Sequence, residues 1–500
     1  MWAKGDRPAR DAAVIDIGSN SVRLVVYRLE GRAIWTVFNE KVLAGLGRDL
    51  ARTGTLSPEG IETALAAVRR FRAVLESVQP DAVFVAATAA VRDASDGPAF
   101  VKRVQDETGY RIRVLSGMEE ANYAALGVLA GAPLAQGVVG DLGGSSLELT
   151  TVGQGQVGEG ITLPLGPLAL AATGPYDPIK VRTAVERCLD QANVGRFKTA
   201  TFHAVGGAWR NLALLQMRMS DYPLRIVHQY ALSASEAQDA ARFIAQQSKG
   251  SLDRIEGMSR KRSETLPFAA TVLDCLIDRL GIQEISLSAF GLREGLLFEA
   301  MSSTDRALDP LIEGCAALGA RQGVSENLGL ALETWLSGAF ATLPILFSTT
   351  RDRILLTAAC RLSDIGARLH PDHRADLVFE QVLRAPISGM NHAERTFLAL
   401  TVFSRHAPTG TPPDLDVINR LLSSDQQRRA RVLGAAMRLG CDLSGRSPAL
   451  LSAAQLSFTP NAVVLTASPA SADLLLGEQT AKRGAMVAQI LGREIEIRTD

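Results

Sequence analysis

The sequence predicts an α/β protein of two similar half-domains with mixed sheets, followed by an α-helical domain and a small α/β appendage. Three observations predict it. A glycine turn between apolar runs occurs twice, as Asp16-Ile-Gly-Ser-Asn-Ser-Val-Arg-Leu24 and Asp141-Leu-Gly-Gly-Ser-Ser-Leu-Glu-Leu149, 125 residues apart. Strand-like and helical periodicities alternate up to about residue 305. From 311 to about 440 the strand signal almost vanishes and amphipathic helices dominate. Five hundred residues exceed a single core, and the composition shifts place boundaries at 1–134, 135–306, 307–440 and 441–500.

In order, the first half-domain opens with strands at Ala12–Asp16, Val22–Leu29 and Ala33–Glu40. Ser57-Pro58 starts a helix running to about Glu76, proline being pre-set for a first helical turn. Asp81–Ala87 reads as a buried parallel strand. A helix follows from Gly97 to about Thr108, a strand at Arg111–Leu115, and a helix from about Met118 to Ala130. Gly137 restarts the pattern with strands Val138–Asp141, Leu147–Val152 and Val157–Leu163, a helix near Pro178–Ala192 and strand Ala200–Val205. Helices through Trp209–Arg218, Ser235–Gln247 and Leu266–Leu280 lead to strand Glu284–Ser288 and a helix from about Arg293 to Met301. Beyond the helical domain, Leu456–Ala467 is strand-like, Ala472–Leu491 helical and Glu494–Arg498 a last strand.

The totals exclude several classes. Fifty-three basic and 53 acidic residues balance, whereas a non-specific nucleic-acid binder is usually basic; no nucleic-acid partner is expected. No apolar run suits a membrane span, and the first residues lack the apolar core of a signal peptide. Five scattered cysteines without a CxxC indicate reduced thiols in a cytoplasm.

The repeated turn carries the chemistry. Glycines let backbone N–H groups approach an anion, serine hydroxyls add donors, and the leading acid can hold a cation. The expected phosphate grip is Gly18, Ser19, Asn20 and Ser21 facing Gly143, Gly144, Ser145 and Ser146. Asp16 and Asp141 would lie near one another, which requires a cation between them or a shifted pKa. Mg²⁺, or another divalent cation, suits one or two carboxylates completed by water and phosphate oxygens. Thr88-Ala-Ala-Val-Arg92 follows a buried strand, where Thr88 and Arg92 are placed to meet phosphate; a plain surface arginine is the alternative. Ser116-Gly-Met-Glu119 has the spacing of a helix capping box. Gly153-Gln-Gly-Gln-Val-Gly158 fits a dinucleotide fingerprint but lies between two strands, so it reads as a hairpin.

These turns resemble the phosphate-binding loops of the actin, sugar-kinase and heat-shock ATPase superfamily. Their wording is closest to the exopolyphosphatase/guanosine pentaphosphate phosphohydrolase family. The resemblance implies two actin-like (ribonuclease H-like) half-domains and a dimer. It implies that Glu148 joins Asp16 and Asp141 at the metal, the alternative being a solvent-facing side chain. It makes Glu119 of Ser116-Gly-Met-Glu-Glu-Ala121 the general base for water, with Glu120 as the second candidate, and Arg92 its catalytic companion. Gly206-Gly207 resembles the superfamily's nucleotide-side turn, or simply packs helix on strand. Gly291-Leu-Arg293-Glu294-Gly295 also matches the family's wording and is expected to be structural, at the domain junction.

The implied activity is Mg²⁺-dependent release of the terminal phosphate of inorganic polyphosphate. The alternatives are a guanosine pentaphosphate (pppGpp) phosphohydrolase, a non-catalytic alarmone-binding regulator, or a kinase of the same superfamily. Basic runs at Arg254, Arg260, Lys261 and Arg262, and at Arg428, Arg429 and Arg431, are solvated faces or a polyphosphate track. The helical domain resembles the HD phosphohydrolases at Arg361-Leu-Ser-Asp-Ile-Gly366, with Ser363 where their histidine stands. Serine is a poor metal ligand, so this domain is expected to be a scaffold without metal chemistry.

Overall fold

A computed structural model describes residues 9–247, 249–252 and 264–499. The chain divides into two compact units, Ala9–Ala307 and a second beginning at Leu308. Among the described residues no helix is long and apolar enough to cross a membrane.

The first unit holds two sheets of the same plan. Strands β1 (Ala9–Ile17), β2 (Val22–Glu30), β3 (Ala33–Val42), β4 (Ala82–Ala87) and β5 (Arg113–Val114) are ordered β3-β2-β1-β4-β5. Strands β6 (Gly137–Leu142), β7 (Leu147–Gly153), β8 (Gln156–Leu163), β9 (Thr201–Val205), β10 (Ala231–Ser233) and β11 (Glu284–Leu287) are ordered β10-β11-β9-β6-β7-β8. In both, the strand that ends in the repeated turn lies centrally. β1 pairs antiparallel with β2 and parallel with β4, as β6 does with β7 and β9. The duplication read from two short motifs therefore extends to the sheets, with β10 an unforeseen edge strand.

Helices α1 (Pro58–Val78), α2 (Ala89–Asp93) and α3 (Gly97–Thr108) serve the first sheet. The helices α4 (Gly117–Gly131), α5 (Pro178–Gln191), α6 (Gly207–Met219), α7 (Ala234–Gln246), α8 (Leu266–Leu280) and α9 (Leu292–Ala300) follow. Phe71 of α1 and Phe100 of α3 fill one side of the first sheet with Ile15 and Leu24. On the other side Leu296, Leu297 and Phe298 of α9 pack with Val14, Val25 and Tyr27. Ala125, Val128 and Leu129 of α4 instead pack with Val139, Val152 and Val205 of the second sheet. Each helix thus covers the sheet of the other half, and the expected boundary at 134/135 cuts α4 from the strands it buries. Gly127 and Gly295 let α4 and α9 cross: a Cβ at Gly127 would strike the Gly291 carbonyl, and one at Gly295 the Tyr123 carbonyl.

The second unit contains helices α10 (Pro310–Arg321), α11 (Glu326–Ala341), α12 (Thr349–Arg361), α13 (Arg374–Arg384), α14 (His392–His406), α15 (Leu415–Leu421), α16 (Ser424–Leu443) and α17 (Glu478–Leu491). Its sheet is β12 (Ala454–Phe458), β13 (Ala462–Ala467) and β14 (Glu494–Thr499), in that order. The strand-like 456–467 stretch is an antiparallel pair, and the helical 472–491 stretch is broken at Gly477. The 440/441 boundary falls inside α16, which packs against α17. Trp335 Nε1 of α11 also donates to Ala454 O of β12 at 3.1 Å.

Asp364 accepts from Arg405 Nη2 at one oxygen and Arg446 Nε at the other, both at 2.9 Å, so two guanidinium groups surround the acid of the HD-like motif. Ser363 beside it is fully buried. His406 bonds Ile365 O through Nε2, and burial followed by the Arg405 charge pushes it down to about 4. In the basic run on α16, Arg429 donates to Pro344 O, Arg431 to Pro408 O and Gly410 O, and Arg428 pairs with Asp425. Two of these guanidiniums anchor loops rather than forming an open track. The run at Arg254, Arg260, Lys261 and Arg262 lies outside the described residues.

Candidate active site

The two predicted turns have one geometry and meet. Gly18 N donates to Ser21 O at 3.0 Å, and Gly143 N to Ser146 O at 3.0 Å. Ser145 Oγ donates to Ser19 Oγ at 3.1 Å. A Cβ at Gly144 would lie 3.3 Å from Ser19 Cβ, so the second turn needs a glycine where it faces the first. Ser19 is buried and Asn20 exposed; their carbonyls accept from Gly47 N and Gly45 N, which braces the first turn.

Strand register then decides what surrounds each aspartate. Residues directly opposite in an antiparallel pair project on the same face. Asp16 is opposite Arg23, and Asp141 is opposite Glu148. One motif position therefore brings a cation beside the first acid and a second carboxylate beside the other. Glu148 is 1% exposed, which excludes the solvent-facing alternative. Neither of its carboxylate oxygens, nor Ser146 Oγ, has a partner in hydrogen-bond geometry among the described residues.

Glu120 completes the acidic side. It is 7% exposed on α4, and its Oε2 accepts from Arg92 Nη1 at 3.1 Å. Burial, then the Asp141 charge, pushes it up to about 7 against the pull of Arg92. Burial and the Asp16 charge likewise push Asp141 up to about 6. Glu148 is raised strongly by burial, Glu120 and Asp141, and Asp16 is raised by burial although Arg293 and Arg23 oppose the shift. Arg92 also donates to Leu115 O and Asp93 Oδ1. Thr88 is buried where β4 passes into α2, its N–H donating to Ile17 O.

Glu119 is placed elsewhere. Its Oε2 accepts from the Ser116 N–H and hydroxyl, both at 2.9 Å, and its Oε1 from Arg113 Nη2 at 2.6 Å. These bonds hold it down at about 2. It is the cap of α4, and the structure does not bring it to the acid cluster. Gly206, with φ 111°, brings the start of α6 against the second turn, where a Cβ would lie 2.5 Å from Leu142 O. A Cβ on Gly207 would meet open space.

Sequence reasoning undervalued the arginines. Arg23 and Arg293 both act on Asp16, Arg23 also senses Arg210, and Arg293 reaches Asp141. Arg293 Nη1 is buried without a hydrogen-bond partner among the described residues. It thus lies at the site, while Glu294 and Gly295 of the same motif serve the junction, Glu294 capping α9 and Gly295 admitting Tyr123 O of α4. Arg23 was findable, since it holds the repeat position that Glu148 holds in the second copy. Arg293, in contrast, arrives from 270 residues away along the chain.

No group of three or more His, Cys, Asp and Glu is arranged by itself to hold a metal ion among the described residues. Asp16, Asp141 and Glu148 are consequently not a closed cage. A cation here would rely on one or two carboxylates plus water and substrate oxygens, the usual habit of magnesium. The unpartnered Glu148 and the raised acids fit such an ion.

Comparison with known proteins identifies the family. The profile of the Ppx/GppA phosphatase family matches residues 25–304, and that of the exopolyphosphatase C-terminal domain matches residues 314–497. An Aquifex aeolicus member of the Ppx/GppA family is 24% identical, with a TM-score of 0.52 over 58% of this chain and 97% of that one. An exopolyphosphatase from Cytophaga hutchinsonii is 21% identical, with a TM-score of 0.54 over the same shares. A family profile that spans more than half of the chain, from residue 25 to 304 and so over the second turn and Glu120, Asp141 and Glu148, leads to one conclusion: this protein belongs to the Ppx/GppA phosphatase family.

Proposed function

We propose that the protein is an exopolyphosphatase that releases the terminal phosphate of inorganic polyphosphate, with Glu120 as the general base. The observation that carries this reading is the Glu120 carboxylate, buried beside Asp141, held by Arg92 and raised to about 7. A base of that pKa takes a proton efficiently near neutral pH. Glu119, which the family resemblance favoured for this role, has both oxygens committed to the helix cap and Arg113.

In the proposed reaction, a water oxygen bonds to the terminal phosphorus while the bridging P–O bond breaks. The water proton passes to Glu120, and the shortened chain leaves with the bridging oxygen. Hydroxyls of both turns, with the backbone N–H groups that the Gly18 and Gly143 turn bonds leave over, meet charge on the terminal phosphate, as preorganised donors do in phosphoryl transfer. Arg293 and Arg23 add positive charge on the Asp16 side. Asp16, Asp141 and Glu148 would hold Mg²⁺, whose chemistry is to neutralise phosphate charge.

The exopolyphosphatase C-terminal match over 314–497 favours polyphosphate over pppGpp, whose terminal anhydride poses the same chemical problem. The test is phosphate release by purified protein with Mg²⁺, from long polyphosphate beside pppGpp. Faster release from polyphosphate is expected, with Glu120→Gln slower by about 10²–10⁴-fold. Preference for pppGpp would replace the substrate assignment, and an active Glu120→Gln would remove the base.

A further inference from the structure

The cap of α4 reaches further than a cap requires. A capping box needs only the reciprocal bonds between the first residue and the third helical one. The box at Ser233 and Glu236 has those bonds and, among the described residues, nothing attached to the other Glu236 oxygen. At Ser116, by contrast, the free oxygen of Glu119 accepts from Arg113 Nη2 at 2.6 Å. Arg113 Nη1 donates to Tyr123 OH at 2.7 Å, and Tyr123 OH donates to Glu299 Oε2 on α9 at 2.6 Å. Tyr123 lies one helical turn beyond Glu119, so both face the same way, while Glu120 is rotated by about 100°.

We propose that Glu119, Arg113 and Tyr123 are positioning residues that fix the first turn of α4 and so aim Glu120 at the water it activates. This rests on the assignment of Glu120 as the base. The 113–116 segment is gripped from two sides: Arg92 holds Leu115 O and Glu120 together, and Arg113 holds Glu119. Arg113 and Glu119 are 53% and 40% exposed, where an ion pair adds little to stability. Its consequence is orientation. A small misplacement of a reacting group can cost about 10²-fold in rate.

The experiment compares the intact protein with Glu119→Ala, Glu119→Gln and Tyr123→Phe. Steady-state phosphate release from polyphosphate with Mg²⁺ is measured beside amide hydrogen exchange over residues 117–121. Glu119→Ala should lower kcat by about 10–50-fold with KM within about twofold, and speed exchange of the first turn. Glu119→Gln, which preserves the box, should recover to within about threefold of the parent. Tyr123→Phe should lose about 3–10-fold in kcat. If Glu119→Gln were as inactive as Glu119→Ala, Glu119 would be chemical and positioning would be overturned. Parental kcat and exchange in all three variants would overturn it too. If the parent turned over neither polyphosphate nor pppGpp, the functional reading would fail on its own. The exchange comparison would still decide the network, with unchanged exchange in Glu119→Ala rejecting it.

Discussion

Ser145 Oγ donates a hydrogen bond of 3.1 Å to Ser19 Oγ, 126 residues earlier in the chain, joining the two turns. It links the β6–β7 turn to the β1–β2 turn, so the two loops proposed to grip phosphate share one contact. Ser145→Ala removes the donor but leaves the turn bond from Gly143 N to Ser146 O. One such bond contributes about 1 kcal/mol net. Melting temperature should therefore change little while kcat/KM falls by about 5–20-fold. Unchanged kcat/KM would mean that the link is incidental.

The pH profile separates the two glutamates. Glu120 is raised to about 7 by burial and Asp141, so a base at this position is mostly protonated at pH 6. The rate should rise about tenfold per pH unit below the Glu120 pKa and level off above it. Mg²⁺ at Asp141 should move that limb below 7 by offsetting the Asp141 charge. Glu119, held down at about 2, is ionised throughout that range and would give no such limb. The absence of an acid limb above about pH 4.5, the ordinary glutamate value, would exclude Glu120.

The same acids make stability fall with pH when no cation is present. Their folded pKa values lie above the ordinary ones, about 7 against 4.5 for Glu120 and about 6 against 3.8 for Asp141. The folded state therefore binds more protons between those limits. The stability is complete below the ordinary value and is lost as pH rises through the raised one. The loss is on the order of a few kcal/mol. Melting temperature in EDTA should decline from pH 5 to about 8, and Mg²⁺ should restore most of it at the upper end. A Mg²⁺-independent melting curve at pH 8 would argue against a cation at Asp16, Asp141 and Glu148.

In the second unit, Asp364 is the anion between Arg405 and Arg446, and Arg405 is 6% exposed. Asp364→Ala strands a buried guanidinium, which costs about 3–5 kcal/mol. Thermal unfolding should register a large loss. Ser363→His, which rebuilds the His-Asp pair in sequence, should gain no metal affinity by calorimetry, because both Asp364 oxygens are engaged.

Much of the site was legible because its signal is local. Asp16 to Leu24 and Asp141 to Leu149 each contain their whole turn, and the Gly-to-Ser hydrogen bond closes within it. Copying that turn announced two matching sheets, since the flanking strands must pair in the same way. The repeat also holds Arg23 at the position Glu148 occupies in the second copy, and strand pairing sets both across from the aspartates.

The choice between Glu119 and Glu120 was not local. Neighbouring helix residues point about 100° apart, and either acid could face the site until the cap claims one. Ser116 and Arg113 claim Glu119, which leaves Glu120 to be buried against Asp141. Arg293 on the Asp16 side and Arg405 on Asp364 come from distant helices. By itself, the sequence determined the two matching turns and the phosphatase family to which they belong. Only the tertiary structure decided which carboxylate is buried among like charges, because burial and neighbouring charge, which set its pKa, are properties of the packed chain.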